Sequence, residues 1–380
     1  MNSPLKYPGG KNKELNFIIP NLPRQIDRFF EPFVGGGAVY FNISSVNQMF
    51  INDKSYELIN FYRAVRGEDK EFISTLKSID NTLKFLINFT SLNSSVLLNI
   101  YQSFKEHSNH QTLLEELSYF FDENQYTLQD NVFIHNLNYV TFYKQLVKSV
   151  TDKYKRTKRL EEKKGFLEKE DDIINNIETG LMSAYYTFNR YVYNNCNTLN
   201  LALPIQSALY FYIREYCYSS MFRYNQNGEF NVPYGGMSYN HKFLSKKIDY
   251  LSNTELVNHL NNTVIDNLDF HEFLETYRLT DKDFIFLDPP YDTEFSTYAN
   301  NTFDLTDQQR LANYLINECP AKFMLVIKNS DLIRELYNEN IITANEEPLQ
   351  IFAFTKKYLV SFKNRNDKNA EHLLITNYEL

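Results

Sequence analysis

The stretch FIFLDPPYDTEF, Phe284 to Phe295, decides how this chain folds. Phe284–Leu287 is a continuous apolar run, the pattern of a parallel strand buried on both faces. Asp288-Pro289-Pro290-Tyr291 then ends it, because proline has no N–H for a sheet ladder and a locked φ. The stop leaves an acid and an aromatic at the carboxyl edge of a sheet, where open α/β folds bind their ligands. A plain strand terminator would need neither that Asp nor that Tyr.

Working outward, Phe323–Ile327 is a second apolar run, and Thr306–Ile316 between the two reads as a crossover helix with Thr306 as N-cap. Near the N-terminus Arg28–Val34 ends in Gly35-Gly36-Gly37, and Ala38–Val46 reads as the following helix. Gln48–Ile51 is a short strand closed by Asn52-Asp53, and Tyr56–Val65 has helical spacing. In the tail, KKYLVSF and EHLLITNY flank the polar NRNDKNA as a hairpin closing the sheet. The pattern is α/β, with a mainly parallel sheet and an antiparallel edge. Leu83–Met182 is different: polar, Asn-rich and mostly helical in flavour. Its run KYKRTKRLEEKK, Lys153–Lys164, reads as an exposed charged helix face beside Glu161 and Glu162. Tyr185–Asn240 is dense in Tyr, Asn and Arg. The expected organisation is one sheet domain in two parts, residues 1–82 and 261–380, with 83–260 inserted.

Composition narrows the class. The 380 residues are 43% hydrophobic with charges of both signs, which marks a globular chain. A net charge of −8 argues against indiscriminate polyanion binding but leaves a local basic groove open. Cys196, Cys217 and Cys319 are far apart and form no CxxC, so reduced thiols of a cytoplasmic protein are expected rather than disulfides or zinc. The polar start MNSPLKYPGGK and the lack of any run near ~18 apolar residues predict neither secretion nor membrane spanning.

Glu31-Pro32-Phe33-Val34-Gly35-Gly36-Gly37-Ala38 is a strand, a glycine turn and a helix start, where a ligand can approach the main chain closely. Asp53 follows the second strand, where an acid can bind a ribose hydroxyl pair, so a nucleoside-bearing cofactor is expected over this edge. The turn is not GxGxxG, which disfavours a nicotinamide dehydrogenase. Gly9-Gly10-Lys11 lacks the first glycine of a P-loop and has Asn12 for its Ser/Thr. The seven histidines show no ligand spacing, so no metal is expected.

Asp288-Pro289-Pro290-Tyr291 fits one chemistry well. In an aryl amine the nitrogen lone pair is delocalised into the ring. Two acceptors taking its two N–H groups favour pyramidal nitrogen and return the lone pair toward an electrophile. The Asp288 carboxylate and the Pro289 carbonyl can be those acceptors, held by the prolines before reaction begins. Tyr291 can stack on the base.

These residues resemble a known family. Lys6-Tyr7-Pro8-Gly9-Gly10-Lys11, then EPFVGGG, then FRYNQNGEFNVPYG (Phe222–Gly235), the late DPPY and the closing ITNYEL are similar, in order, to the Dam-type (alpha-class, D12) DNA adenine-N6 methyltransferases. The resemblance implies a Rossmann-like methyltransferase sheet, S-adenosylmethionine as donor, double-stranded DNA as partner and a helical target-recognition insertion. It implies cofactor contacts at Tyr7, Lys11, Glu31, Phe33, Gly35, Gly37, Asp53, Asp269, Phe270 and Asp288, and catalysis by Asp288, Pro289, Pro290 and Tyr291. On the DNA side, Arg223, Asn225 and Asn231 are expected to read base edges. Tyr224, Phe230 and Tyr234 are expected to wedge the gap left by a flipped base, and Lys242, Lys246 and Lys247 to hold phosphates. GATC is the target suggested by FRYNQNGEFNVPYG, within a restriction-modification or host/phage defence setting that adds a cognate restriction or defence protein as partner. The hundred or so residues near Leu83–Met182 exceed what compact members carry. The competing readings are RNA adenine methylation and a non-catalytic cofactor- or DNA-binding protein.

Overall fold

The computed structural model describes all residues except 8, 135–136, 138, 166–168, 291–302 and 358–368. The chain forms two compact units, Met1–Gly67 with Asn253–Leu380, and Glu68–Ser252.

The first unit holds β1 (Arg28–Glu31), β2 (Gln48–Asn52), β3 (Thr263–Asp266), β4 (Phe284–Leu287), β5 (Lys322–Lys328), β6 (Gln350–Lys357) and β7 (Asn369–Thr376). Among the described residues they form one sheet in the order β3-β2-β1-β4-β5-β7-β6. β1 to β5 pair parallel, and β7 runs antiparallel between β5 and β6. The sequence-predicted strands at 48–51, 284–287 and 323–327 are thus all present. Both faces are buried, Phe30, Phe50, Ile285, Leu287, Phe323, Leu325 and Ile375 on one and Phe29, Phe284, Phe286, Met324 and Val326 on the other, which is why these strands read as unbroken apolar runs. At the amino ends of β1 and β4 the Arg28 fork grips buried Asp283 through Nε (2.8 Å) and Nη2 (2.6 Å), pinning the central pair.

Besides the short α1 (Leu15–Ile18), the helices of this unit are α2 (Tyr56–Arg66), α11 (Thr254–Asn261), α12 (Phe270–Thr276), α13 (Leu305–Asn317) and α14 (Asp331–Leu336). The whole second unit lies in the connection between α2 and α11, inside the β2-to-β3 crossover. From β1 the chain builds outward to β2 and β3 on one side, then to β4 and β5 on the other. The β1/β4 junction is therefore the topological switch point, the usual place for a ligand crevice.

Three local expectations change. Ala38–Val46 is not a helix but a single 3-10 turn, Tyr40–Asn42. The chain turns extended at Ile43 and left-handed at Ser45 (φ +65°), so no second helical turn forms. The cap of α13 is Asp304, not Thr306: its carboxylate accepts from Thr306 N and Asp307 N while Asp307 reaches back, a capping box. The tail hairpin starts earlier than KKYLVSF, pairing Gln350 with Thr376 through to Lys357 with Asn369. Most of KKYLVSF lies outside the described residues.

The second unit is built from α3 (Lys70–Leu92), α4 (Ser94–His107), α5 (His110–Glu123), α6 (Gln125–Asn131), α7 (Tyr139–Lys164), α8 (Glu170–Asn194), α9 (Leu203–Tyr216) and α10 (Ser245–Leu251). Asp69 caps α3 by accepting from Glu71 N and Phe72 N, and Phe72, Leu76, Ile79, Leu83 and Leu86 form its buried stripe at helical spacing. The Lys153–Lys164 run is not simply a solvated face. Tyr154 is buried and donates to Leu97 O (2.8 Å). Buried Glu161 accepts from Tyr101 Oη (2.8 Å) and pairs with Lys105 (3.0 Å).

Candidate active site

Four strand ends with their turns, and the N-terminal segment carrying Tyr7 and Lys11, hold the expected residues of the first unit. At the end of β1, Glu31 is buried and its carboxylate accepts from Tyr40 N (2.9 Å). Burial first, then the charge of Asp288, push this carboxyl well above its usual range, against the pull of the Tyr40 N–H and Lys11. The glycine turn follows. Gly35 N donates to Asp53 Oδ2 (3.0 Å) and Gly35 O accepts from Tyr62 Oη (2.8 Å). Gly36 lets Tyr7 close in: a Cβ there would lie 2.8 Å from the Tyr7 Cβ. Gly37 sits at φ +67°, where a Cβ would also strike the Phe41 ring at 2.8 Å. Asp53 is fixed by Ser55 N on Oδ1 (2.9 Å) as well as by Gly35.

Asn52 had not been singled out. Its buried amide donates to Pro32 O and Leu268 O (both 3.1 Å) and accepts from Leu268 N (2.8 Å), tying the turns after β1 and β3 across the end of β2. Its place as the last residue of an apolar strand was the available signal.

At the end of β4, Asp288 Oδ1 is ion-paired with Lys11, a lysine only 2% exposed. Pro289 is buried, and the Pro290 carbonyl accepts from Gln308 Nε2 of α13 (3.0 Å). Tyr291 lies outside the described residues. After β3, Asp269 caps α12 through His271 N (3.1 Å) and accepts from Arg310 Nη2 (2.8 Å). Burial pushes its carboxyl up, yet the Arg310 hydrogen bond, the His271 N–H and the charges of Arg310 and Lys54 together hold it below the usual range. Phe270 is buried against Phe33 (5.5 Å between ring centres), with the Arg310 guanidinium 5.0 Å from its ring centre. Arg310 had not been anticipated; three residues after the acid at 307 on a helix, it matches an i,i+3 pair.

The family model for D12 class N6 adenine-specific DNA methyltransferases matches residues 7–126 and 95–348. The chain belongs to this family. It is 35% identical over 175 residues to a type II methyltransferase, M.CviBI, of Paramecium bursaria Chlorella virus NC1A, covering 45% of this chain and 61% of that protein. It is 24% identical over 390 residues to the type II methyltransferase M.MjaIII of Methanocaldococcus jannaschii, covering 98% of each. A DNA adenine methylase of Salmonella typhi is 30% identical over 169 residues, covering 42% of this chain and 55% of that enzyme. Among the described residues no group of His, Cys, Asp and Glu is placed to hold a metal ion, and no helix is long and apolar enough to cross a membrane.

The second unit treats its expected DNA-contacting residues unevenly. Tyr224 and Phe230 bridge a tight turn that Asn225 organises: its Oδ1 accepts from Asn227 N (3.0 Å) and Glu229 N (2.9 Å), and its Nδ2 donates to Glu229 (2.8 Å). The Asn225 amide is thus occupied inside its own turn. Phe230 and Tyr234 are core residues, Tyr234 bonding Asn240 Oδ1 (3.2 Å) and stacking on Tyr216, so neither is a wedge as it stands. Lys242 and Lys247 both bond fully buried Glu215, at 3.3 and 2.8 Å. Arg223 and Lys246 remain exposed; Arg223 Nε donates to Asn231 Oδ1 (3.0 Å), leaving the outer guanidinium edge directed away from that bond.

Proposed function

We propose that this chain transfers a methyl group from S-adenosylmethionine to N6 of an adenine rotated out of duplex DNA. One observation carries the reading: the Asp288-Pro289-Pro290 turn ends β4 at the switch point, with Asp288 ion-paired to Lys11 and close enough to Glu31 to shift its titration.

The residues suit the cofactor's nucleoside. Asp53, fixed by two backbone N–H groups just past β2, sets a carboxylate where a ribose diol can bind. Phe270 and Asp269 offer a ring and an acceptor to a purine and its amine. S-adenosylmethionine supplies an electrophilic sulfonium methyl when bound. The chain's own part is to shape the nucleophile. Asp288 Oδ2 and the Pro289 carbonyl take the two N–H groups of the adenine amine, while Lys11 on Oδ1 fixes the carboxylate plane. Asp288 then need not be a strong base, because the amine releases its proton as, or after, its nitrogen acquires the methyl and a positive charge.

In the second unit, Arg223, Tyr224, Asn231 and Lys246 are the residues we assign to DNA, with GATC the first site to test. Expressing the protein in a methylation-free host and mapping N6-methyladenine by single-molecule sequencing tests activity and target together. A recurring modified motif is expected. Soluble, cofactor-binding protein that leaves DNA unmodified and methylates RNA instead would replace this reading with the RNA one.

A further inference from the structure

We infer that Gln308 is a positioning residue that completes the locking of the Asp288-Pro289-Pro290 turn, a role that rests on the reading of that turn as the amine-binding element. From the ψ of Asp288 onward, each soft backbone dihedral of the turn has an identifiable restraint except one. The rings fix φ at Pro289 and Pro290. A proline following each of Asp288 and Pro289 confines those residues to extended ψ. No proline follows Pro290, so its ψ, and with it the plane of the next peptide unit, is free by local chemistry. Gln308 supplies the missing restraint: its Nε2 donates to the Pro290 carbonyl at 3.0 Å.

The setting of Gln308 argues that this bond is why a polar residue stands there. Gln308 is fully buried on the face of α13 that also buries Leu311, Ala312 and Leu315. Its Oε1 is buried without a hydrogen-bond partner among the described residues. An unsatisfied buried amide oxygen costs stability, and Leu at this helical position would remove that cost and add apolar contact. The side chain sits one turn into a helix whose start is fixed by the Asp304 capping box, so the donor is carried by a rigid element rather than a loop.

The test uses the full-length protein and compares Gln308→Leu and Gln308→Glu with the parent. Measurements are methyl transfer to an adenine-containing duplex that the parent modifies, titration of S-adenosylhomocysteine, and thermal melting. For Gln308→Leu we expect kcat to fall about three- to tenfold, the value of one lost neutral hydrogen bond, with inhibitor affinity and melting temperature held or raised. Gln308→Glu keeps the shape. Its carboxyl donates to the carbonyl only when protonated, so its activity relative to the parent should climb as pH is lowered. A Gln308→Leu protein with parental kcat overturns the inference. So does a kcat loss that follows a fall in melting temperature, or a Gln308→Glu pH profile parallel to the parent's. A parent that methylates no DNA fails the function itself, a separate result.

Discussion

Glu31 in the first unit and Glu215 in the second are both buried acids, and their surroundings differ in kind. Glu215 is met by two lysines, Lys242 and Lys247, which hold its two oxygens at 3.3 and 2.8 Å. Glu31 lies near two further acids, Asp288 and Asp53, and the lysine within reach, Lys11, is ion-paired with Asp288. The second arrangement is matched charge in the service of folding. The first gathers three carboxylates, of which Asp288 is ion-paired with Lys11, the arrangement we read as a functional site. Lys242 and Lys247, expected to hold phosphates, are the two lysines bonded to Glu215.

The sharpest break between the two regions is in what a lost side chain does. Asp288→Ala should lower kcat about tenfold to a hundredfold or more, the value of a charge-assisted hydrogen bond, with S-adenosylhomocysteine affinity largely kept. A folded variant that methylates at the parental rate would remove the first unit's claim to the chemistry. Lys242→Met should act on folding instead. Lys247 stays on Glu215 and Lys242 is itself 28% exposed. The cost should therefore be about 1–2 kcal/mol, below the ~3–5 kcal/mol of breaking a wholly buried pair. Denaturant titration reads that cost, and the salt dependence of DNA binding by the folded variant should match the parent. A shallower salt slope for Lys242→Met would return this lysine to the DNA interface. Lys246→Ala is the counterpart: exposed and outside that cluster, it should lower the salt slope by about one unit with little change in stability.

The same contrast shows what could be read from residues in a row. The site elements of the first unit were legible because they are backbone events: an apolar run stopped by two prolines, and a strand ending in three glycines. Topology then carries those positions to one edge of a sheet whichever way the intervening chain runs. Asp53 follows the same rule, standing just past a strand, whereas Asp269 and Phe270, past a strand that was not read in the sequence, came only through the resemblance. The second unit depends on which way side chains point, and no periodicity in FRYNQNGEFNVPYG separates outward Arg223 from inward Tyr234. The Asn225 amide is taken up locally for a physical reason, since an Asn beside a glycine turn bonds its own backbone as readily as it bonds a base. Gln308 and Arg310 were missed because their partners, Pro290 and Asp269, lie far from them along the chain.

The smallest expected effect bears on the opening comparison most directly. Burial, and next the charge of Asp288, raise the Glu31 carboxyl well above 4.5 in the folded protein, whereas in the unfolded chain it ionises near that value. Above pH 4.5 the native state therefore holds more protons here than the unfolded state, and stability must fall as pH rises, until the raised native value is passed and the penalty levels off. Glu31→Gln keeps an oxygen for the Tyr40 N–H and has no charge to bury. The variant should be more stable than the parent at pH 8, with the advantage shrinking to nothing as pH approaches 4.5. Denaturant titrations of both proteins across that range read the difference. Parallel curves would mean that Glu31 ionises as an ordinary acid, and that it is as well compensated as Glu215.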